Sequence, residues 1–172
     1  MGKAAILLNG QFSPPVKPVT TRQMSGSPTP MDRALALAEA AAAAGEAPVG
    51  AVVMLGETVL AAERNRMREL NDPTAHAELL AIRAALAARG TGRLDGCDLY
   101  VTLEPCAMCA GAIAHARLRR VTYAADDLKA GAVEHGVRLF DSPNCHHRPE
   151  VVVGVGEAKA SAMLKDFFAR LR

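Results

Sequence analysis

The sequence lacks an excess of either charge: 20 Lys and Arg stand against 18 Asp and Glu, for a net charge of +2. That balance is far from the strong basic bias of many nucleic-acid binders, so any RNA footprint must be local. There is no run of eighteen apolar residues, hence no candidate membrane-spanning helix. No signal peptide is expected either, because the apolar run at residues 4–8 is too short and a polar, proline-rich stretch follows it. The 4 cysteines could form two disulfides, but without a leader the expectation is a reducing cytoplasm and thiolates kept for metal. No internal repeat divides the chain, and 172 residues suit one domain large enough to bury a core.

Residues 1–29 read as a tail. Pro14, Pro15, Pro18 and Pro28, with Ser, Thr and Gly between them, cannot bury enough surface to offset the entropy of ordering. A single folded domain is expected over residues 30–172. Alanine-rich residues 32–44 predict a helix that Gly45 stops. Residues 48–55 are nearly continuously apolar and predict a strand buried on both faces. A turn at Gly56-Glu57 leads into a second strand at 58–62. After a loop at 64–73, Thr74 is the expected N-cap of a helix running to about residue 89. Strands at 98–103, 120–125 and 151–155 and a helix over 106–116 follow. An amphipathic helix closes the chain over 157–172, its stripe formed by Ala160, Met163, Leu164, Phe167 and Leu171. A hairpin followed by alternating strands and helices predicts an α/β fold, a three-layer α-β-α sandwich around a mixed five-stranded sheet.

Two clusters thirty residues apart carry the chemistry: Thr74-Ala75-His76-Ala77-Glu78 and Glu104-Pro105-Cys106-Ala107-Met108-Cys109. His76, Cys106 and Cys109 offer one nitrogen and two sulfurs to a metal. A tetrahedral zinc would keep its fourth position for water, which distinguishes a catalytic site from a closed structural one. Cys106 and Cys109, three apart at a helix start, share one face and sit near its positive end, which favours thiolates. His76 and Glu78 point nearly opposite ways inside a helix, but at its beginning both can border one cavity. The residues therefore predict two helix N-termini aimed at one metal, with Glu78 placed to move protons rather than bind it. Cys97 and Cys145 read as ordinary small residues. Taken singly, a C-x-x-C suits structural zinc or redox chemistry, His76 a buried histidine and Glu78 a solvated one; their combination points to catalysis.

The pairing H-x-E…P-C-x-x-C is the signature of zinc-dependent nucleobase deaminases. The chain resembles the bacterial tRNA-specific adenosine deaminases of the cytidine deaminase superfamily over residues 31–172. The resemblance extends beyond the metal motif to residues 46–52, 71–78, 99–106 and 109–113 and to Asp166-Phe167-Phe168. It implies a cytidine deaminase-like fold, one Zn²⁺ per subunit, a homodimer, and conversion of a tRNA's wobble adenosine to inosine. It further implies that Asn65 holds the base, that the backbone at Ala77 and Pro105 helps seat base and amine, and that Asp127, Phe168 and Arg172 meet the RNA. The chain departs from the family pattern at Asp126, at His146 and over residues 133–139. Arg117, Arg119, Arg120, Lys159, Lys165, Arg170 and Arg172 are candidates for phosphate contacts, though a run of arginines is ordinarily a solvated face. Two other functions fit parts of the pattern. One is a free-base deaminase for guanine or cytosine, which shares the zinc apparatus but needs a sealed substrate cavity. The other is a non-catalytic, zinc-stabilised RNA-binding module, for which Glu78 would be dispensable.

Overall fold

The computed structural model describes residues 27–170. Most of the expected tail, with Leu171 and Arg172, lies outside the described residues. The first helix, α1, spans Pro30–Ala43 and begins two residues before the expected start. The Thr29 hydroxyl accepts the Asp32 N–H at 3.1 Å while the Asp32 carboxylate accepts the Thr29 N–H at 2.9 Å. This reciprocal capping, with proline at the first helical position, fixes the boundary.

Strands β1 (Gly50–Leu55) and β2 (Thr58–Arg64) form the expected hairpin through Gly56, whose φ of 57° suits the turn. Then come α2 (Ala77–Arg89), β3 (Cys97–Leu103), α3 (Ala107–Ala116), β4 (Arg120–Ala125), a 3₁₀ turn at Leu139–Asp141, β5 (Glu150–Val153) and α4 (Glu157–Ala169). The sheet order is β2-β1-β3-β4-β5. Its first two pairings are antiparallel and its last two parallel, so the expected mixed five-stranded sheet is present. Strand β5 stops short of residue 155 because Gly154 and Gly156, both at φ 83°, turn the chain into α4.

Both faces of the sheet are covered. On one, Val53, Leu99, Val101, Val121 and Tyr123 pack against Ala81, Ile82 and Ala85 of α2 and Ala110 and Ile113 of α3. On the other, Val52, Met54 and Ala124 meet Met31, Ala34 and Leu35 of α1 and Ala160 of α4. Neighbouring Val52 and Val53 thus serve opposite layers, the strand period of two at work. That explains why β1 reads as a continuous apolar run. At Gly50, α1 comes so close that a Cβ would fall 2.7 Å from Leu37 Cβ and 2.8 Å from Ala38 N.

The strand directions decide where the chemistry collects. Gly50 pairs with Arg64, and Ala51 with Val101, so the end of β2, the start of β1 and the end of β3 share one edge of the sandwich. The chain leaves β3 there for Glu104-Pro105-Cys106 and α3, and leaves β2 there for the 65–76 loop and α2. Arg117, Arg119 and Arg120 sit at the other end, since β4 runs parallel to β3 from Arg120 and the Arg119 N–H bonds to the Cys97 carbonyl.

Candidate metal centre and active site

His76 and Cys106 occupy equivalent positions: each is the N-cap of its helix, in extended backbone conformation, φ −70° in both, ψ 148° and 173°. The expected cap, Thr74, is used otherwise. Its N–H and hydroxyl both bond to Asp72 Oδ1, at 2.8 and 2.7 Å, closing a turn two residues earlier. Neither His76 nor Cys106 caps with its side chain. Their carbonyls accept the first helical bonds, from Leu80 and Ala110, while the side chains are left for each other. The free N–H groups of two helix starts therefore face a shared group of ligands, as expected, and lend it positive potential.

His76 Nδ1 lies 3.7 Å from Cys106 Sγ and 3.6 Å from Cys109 Sγ, and the three ligand atoms are mutually within 4.8 Å. Zinc bonds of about 2.05 Å to nitrogen and about 2.3 Å to sulfur put neighbouring ligands of a tetrahedron about 3.6 Å apart. The donor set and the spacing fit zinc. Hydrogen bonding from the Cys109 thiol, helped by the His76 ring and opposed by burial, draws the Cys106 thiol down to about 3. Cys109 shifts upward as the member that keeps the proton, with burial and Glu78 adding to the effect. A dication held by the pair would replace that proton, leaving two thiolates. Donation to Cys106 raises the His76 pKa, against the effect of its burial.

Glu78 is the second residue of α2, 4% exposed. Burial pushes its carboxyl up, while its own backbone N–H, the His76 charge and the Cys109 thiol pull it down. A buried acid beside a ligand thiol, at a helix start, suits a group that takes and returns protons. Ala77 and Pro105, both buried, adjoin His76 and Cys106 in the chain.

Asn65 follows β2, 4% exposed. Its backbone bonds to the Val49 carbonyl, and the next residue bonds to the Ala75 carbonyl, which places it beside the His76 turn. Asp127 lies in the loop after β4, where its Oδ1 accepts the N–H groups of Lys129 and Ala130. Phe168 is 49% exposed on α4, edge-to-face with Phe167 at 5.4 Å, and α4 packs with α1 on the face of the sheet opposite α2 and α3. Arg172 lies outside the described residues. Several basic candidates are engaged elsewhere. Arg119 grips Asp98 through two nitrogens, Arg120 pairs with Glu150, and Lys159 pairs with Glu39. The arginines at the metal end are Arg64 and Arg66, both bridged to Glu69, and exposed Arg68.

Two carboxylates that spacing did not single out support this end of the molecule. Glu104, 2% exposed, accepts the N–H groups of Asp127, Val133, Glu134 and His135 and the His135 ring. Burial alone would raise its pKa; those donors together hold it below the usual carboxylate range. It ties the 127–135 loop against the metal strand, and the Ala132 N–H closes on the Pro105 carbonyl at 3.0 Å. Glu46 is likewise buried. Both lie in stretches that resemble the family, residues 46–52 and 99–106, but the sequence alone assigns neither a role. Cys97 is a free core thiol, and Cys145 donates to the His147 carbonyl.

Comparison with known proteins gives a consistent picture. The family model of MafB19-like deaminases matches residues 28–172. A tRNA-specific adenosine deaminase of Agrobacterium fabrum is 53% identical over 142 residues, 83% of this chain and 93% of the relative. A solved structure from work on A-to-I editing by tRNA:A34 deaminases at the wobble position is 53% identical, covers 78% of this chain and 98% of its own, and superposes with a TM-score of 0.77. A guanine deaminase from Nitrosomonas europaea shares the fold at a TM-score of 0.70 with 26% identity, over 98% and 100% of the two chains.

Proposed function

The chain belongs to the tRNA-specific adenosine deaminases, within the MafB19-like deaminases, and on that footing we propose that it converts the wobble adenosine of a tRNA anticodon to inosine. The observation that carries the reading is the His76–Cys106–Cys109 group with buried Glu78 beside it, at the ends of two helices. His76 Nδ1 and the two thiolates would hold Zn²⁺, which supplies the Lewis acidity that makes water a competent nucleophile near neutral pH. Glu78 takes a proton from the water that adds to C6 of adenine and passes it to the ring nitrogen. A second proton, from the added hydroxyl, goes through Glu78 to the exocyclic amine, which leaves as ammonia, so that inosine carries the water's oxygen.

Asn65, Ala77 and Pro105 seat the flipped base, while Asp127, Phe168 and Arg172 meet the surrounding RNA. Single-stranded anticodon loops splay their bases, so unstacking costs little. Phe168 belongs to a helix across the sheet, which suits a contact with RNA beyond the flipped nucleotide. A homodimer working in the cytoplasm completes the reading. The test is to incubate the zinc-loaded protein with the wobble-adenosine tRNA and sequence the product. Adenosine read as guanosine at that position is expected, and its absence with zinc bound would overturn the reading. The likeness to a guanine deaminase supports a second reading, free-guanine hydrolysis, which ammonia release from guanine measured against the tRNA separates.

A further inference from the structure

Glu46 is a buried carboxylate, 2% exposed, and no cation among the described residues pairs with it. Its Oε1 accepts the backbone N–H groups of Arg68 and Glu69, at 2.8 and 2.9 Å, and its Oε2 accepts Asn65 Nδ2 at 3.2 Å. Burying a carboxylate without a cation is costly unless its oxygens are used. A glutamine could serve the two backbone donors equally well through its single oxygen. What only the carboxylate provides is a second acceptor, and that acceptor faces Asn65.

An asparagine amide can be turned over at almost no steric cost, exchanging a donor for an acceptor. A carboxylate accepts only. Opposite Glu46 the Asn65 amide must therefore present nitrogen, which turns its carbonyl oxygen away from Glu46. Among the described residues, the Asn65 side chain bonds to Glu46 alone. Resting on the reading of Asn65 as a substrate contact, we propose that Glu46 is a positioning residue: it locks the Asn65 amide so that an acceptor oxygen is offered to an N–H or O–H donor of the bound nucleoside.

Glu46→Gln is the matched variant. Its oxygen can keep the Arg68 and Glu69 bonds, but its amide nitrogen now demands an acceptor, so Asn65 turns over and shows a donor to the nucleoside. Two measurements on the full, zinc-loaded chain test this. In the ¹⁵N NMR spectrum, the Asn65 side-chain amide, assigned by its loss in Asn65→Ala, is expected to be shifted by the carboxylate and to move in Glu46→Gln. In single-turnover assays on a wobble-adenosine anticodon stem-loop, Glu46→Gln is expected to lose about tenfold in kcat/KM, the scale of one charge-assisted hydrogen bond. In the Asn65→Ala background the same change should cost less than about twofold, because the residue acts through Asn65.

An Asn65 amide signal without a carboxylate shift in the wild type, or one unmoved in Glu46→Gln, overturns the proposal. So does an equal loss of activity in both backgrounds, which would place the effect in the Arg68–Glu69 turn. Full activity in Asn65→Ala removes the role of Asn65 and the positioning with it. A wild type that makes no inosine defeats the deaminase reading instead, and the NMR comparison still decides the orientation. The wild-type spectrum by itself can refute the lock even if Glu46→Gln fails to fold.

Discussion

The His135 ring nitrogen Nδ1 meets Glu104 Oε2 at 2.7 Å, joining the loop after β4 to the residue that precedes Pro105 and Cys106. The bond raises the His135 pKa above 6.5; burial opposes it, and the charges of Glu104, Asp126 and Glu134 reinforce it. A folded-state pKa above the unfolded one gives stability that is complete below the unfolded value and fades as pH climbs through the folded value. The melting-temperature gap between wild type and His135→Gln should therefore be widest below the unfolded value of about 6.5 and shrink as pH climbs through the raised folded value. A gap independent of pH would mean that the pair is held by a neutral hydrogen bond.

Gly131 packs under the same carboxylate. A Cβ there would fall inside van der Waals distance of Glu104 Oε2 and 2.5 Å from both the Asp127 carbonyl oxygen and Glu104 Cδ. Neither backbone nor a five-fold-bonded carboxylate can give way cheaply. Gly131→Ala should cost about 1–3 kcal/mol, the usual scale of overpacking, read as a lower urea midpoint. Gly92→Ala, where an added Cβ meets nothing within 4 Å, is the control and should melt like the wild type.

Glu78 separates catalysis from stability. Its buried carboxyl has a raised pKa, so the fold gains nothing from its charge. Glu78→Gln should bind zinc and melt no lower than the wild type, yet lose at least about 10²-fold in turnover, the scale of a positioned proton-transfer group. Near-normal turnover would overturn the proton-transfer role of Glu78.

Metal content should follow the geometry of the two caps. His76→Ala, Cys106→Ser and Cys109→Ser each remove one of three converging ligands and should lower zinc well below one ion per chain by elemental analysis. Cys97→Ala and Cys145→Ser leave the ligand group whole and should keep full zinc. Retention of zinc in Cys106→Ser would point to a ligand outside this group.

The metal group was legible because its spacing is chemical: His76, Glu78, Cys106 and Cys109 make sense together only at helix starts. The layers were legible too, since β1 is apolar on both faces and α4 on one. The cap at His76 was not, because Thr74 has the better intrinsic cap side chain and only the Asp72 turn diverts it. The roles of Glu46 and Glu104 were hidden for a related reason. Their partners are mostly backbone N–H groups, which every residue but proline carries, so no pattern of side chains betrays them. Arg119 and Arg120 fall at the far end of the sheet because strand order, not composition, decides which end a residue occupies.

That last point yields the sharpest test of the RNA surface. The metal end of the sheet carries Arg68, exposed and without an ion pair among the described residues. Arg117 lies at the C-cap of α3, beside the opposite end of β4. The residues of β4 between those ends, Arg120–Ala125, span about 16 Å at about 3.3 Å per residue, longer than a Debye length at physiological salt. A phosphate contact at the metal end should therefore use Arg68 and not Arg117. Arg68→Gln should weaken binding of an anticodon stem-loop and make the slope of log K against log salt shallower by about 0.7–0.9, the loss of one phosphate contact. Arg117→Gln should leave both affinity and slope unchanged. If the two variants behave alike, the RNA does not enter from the metal end by the route that the strand order prescribes.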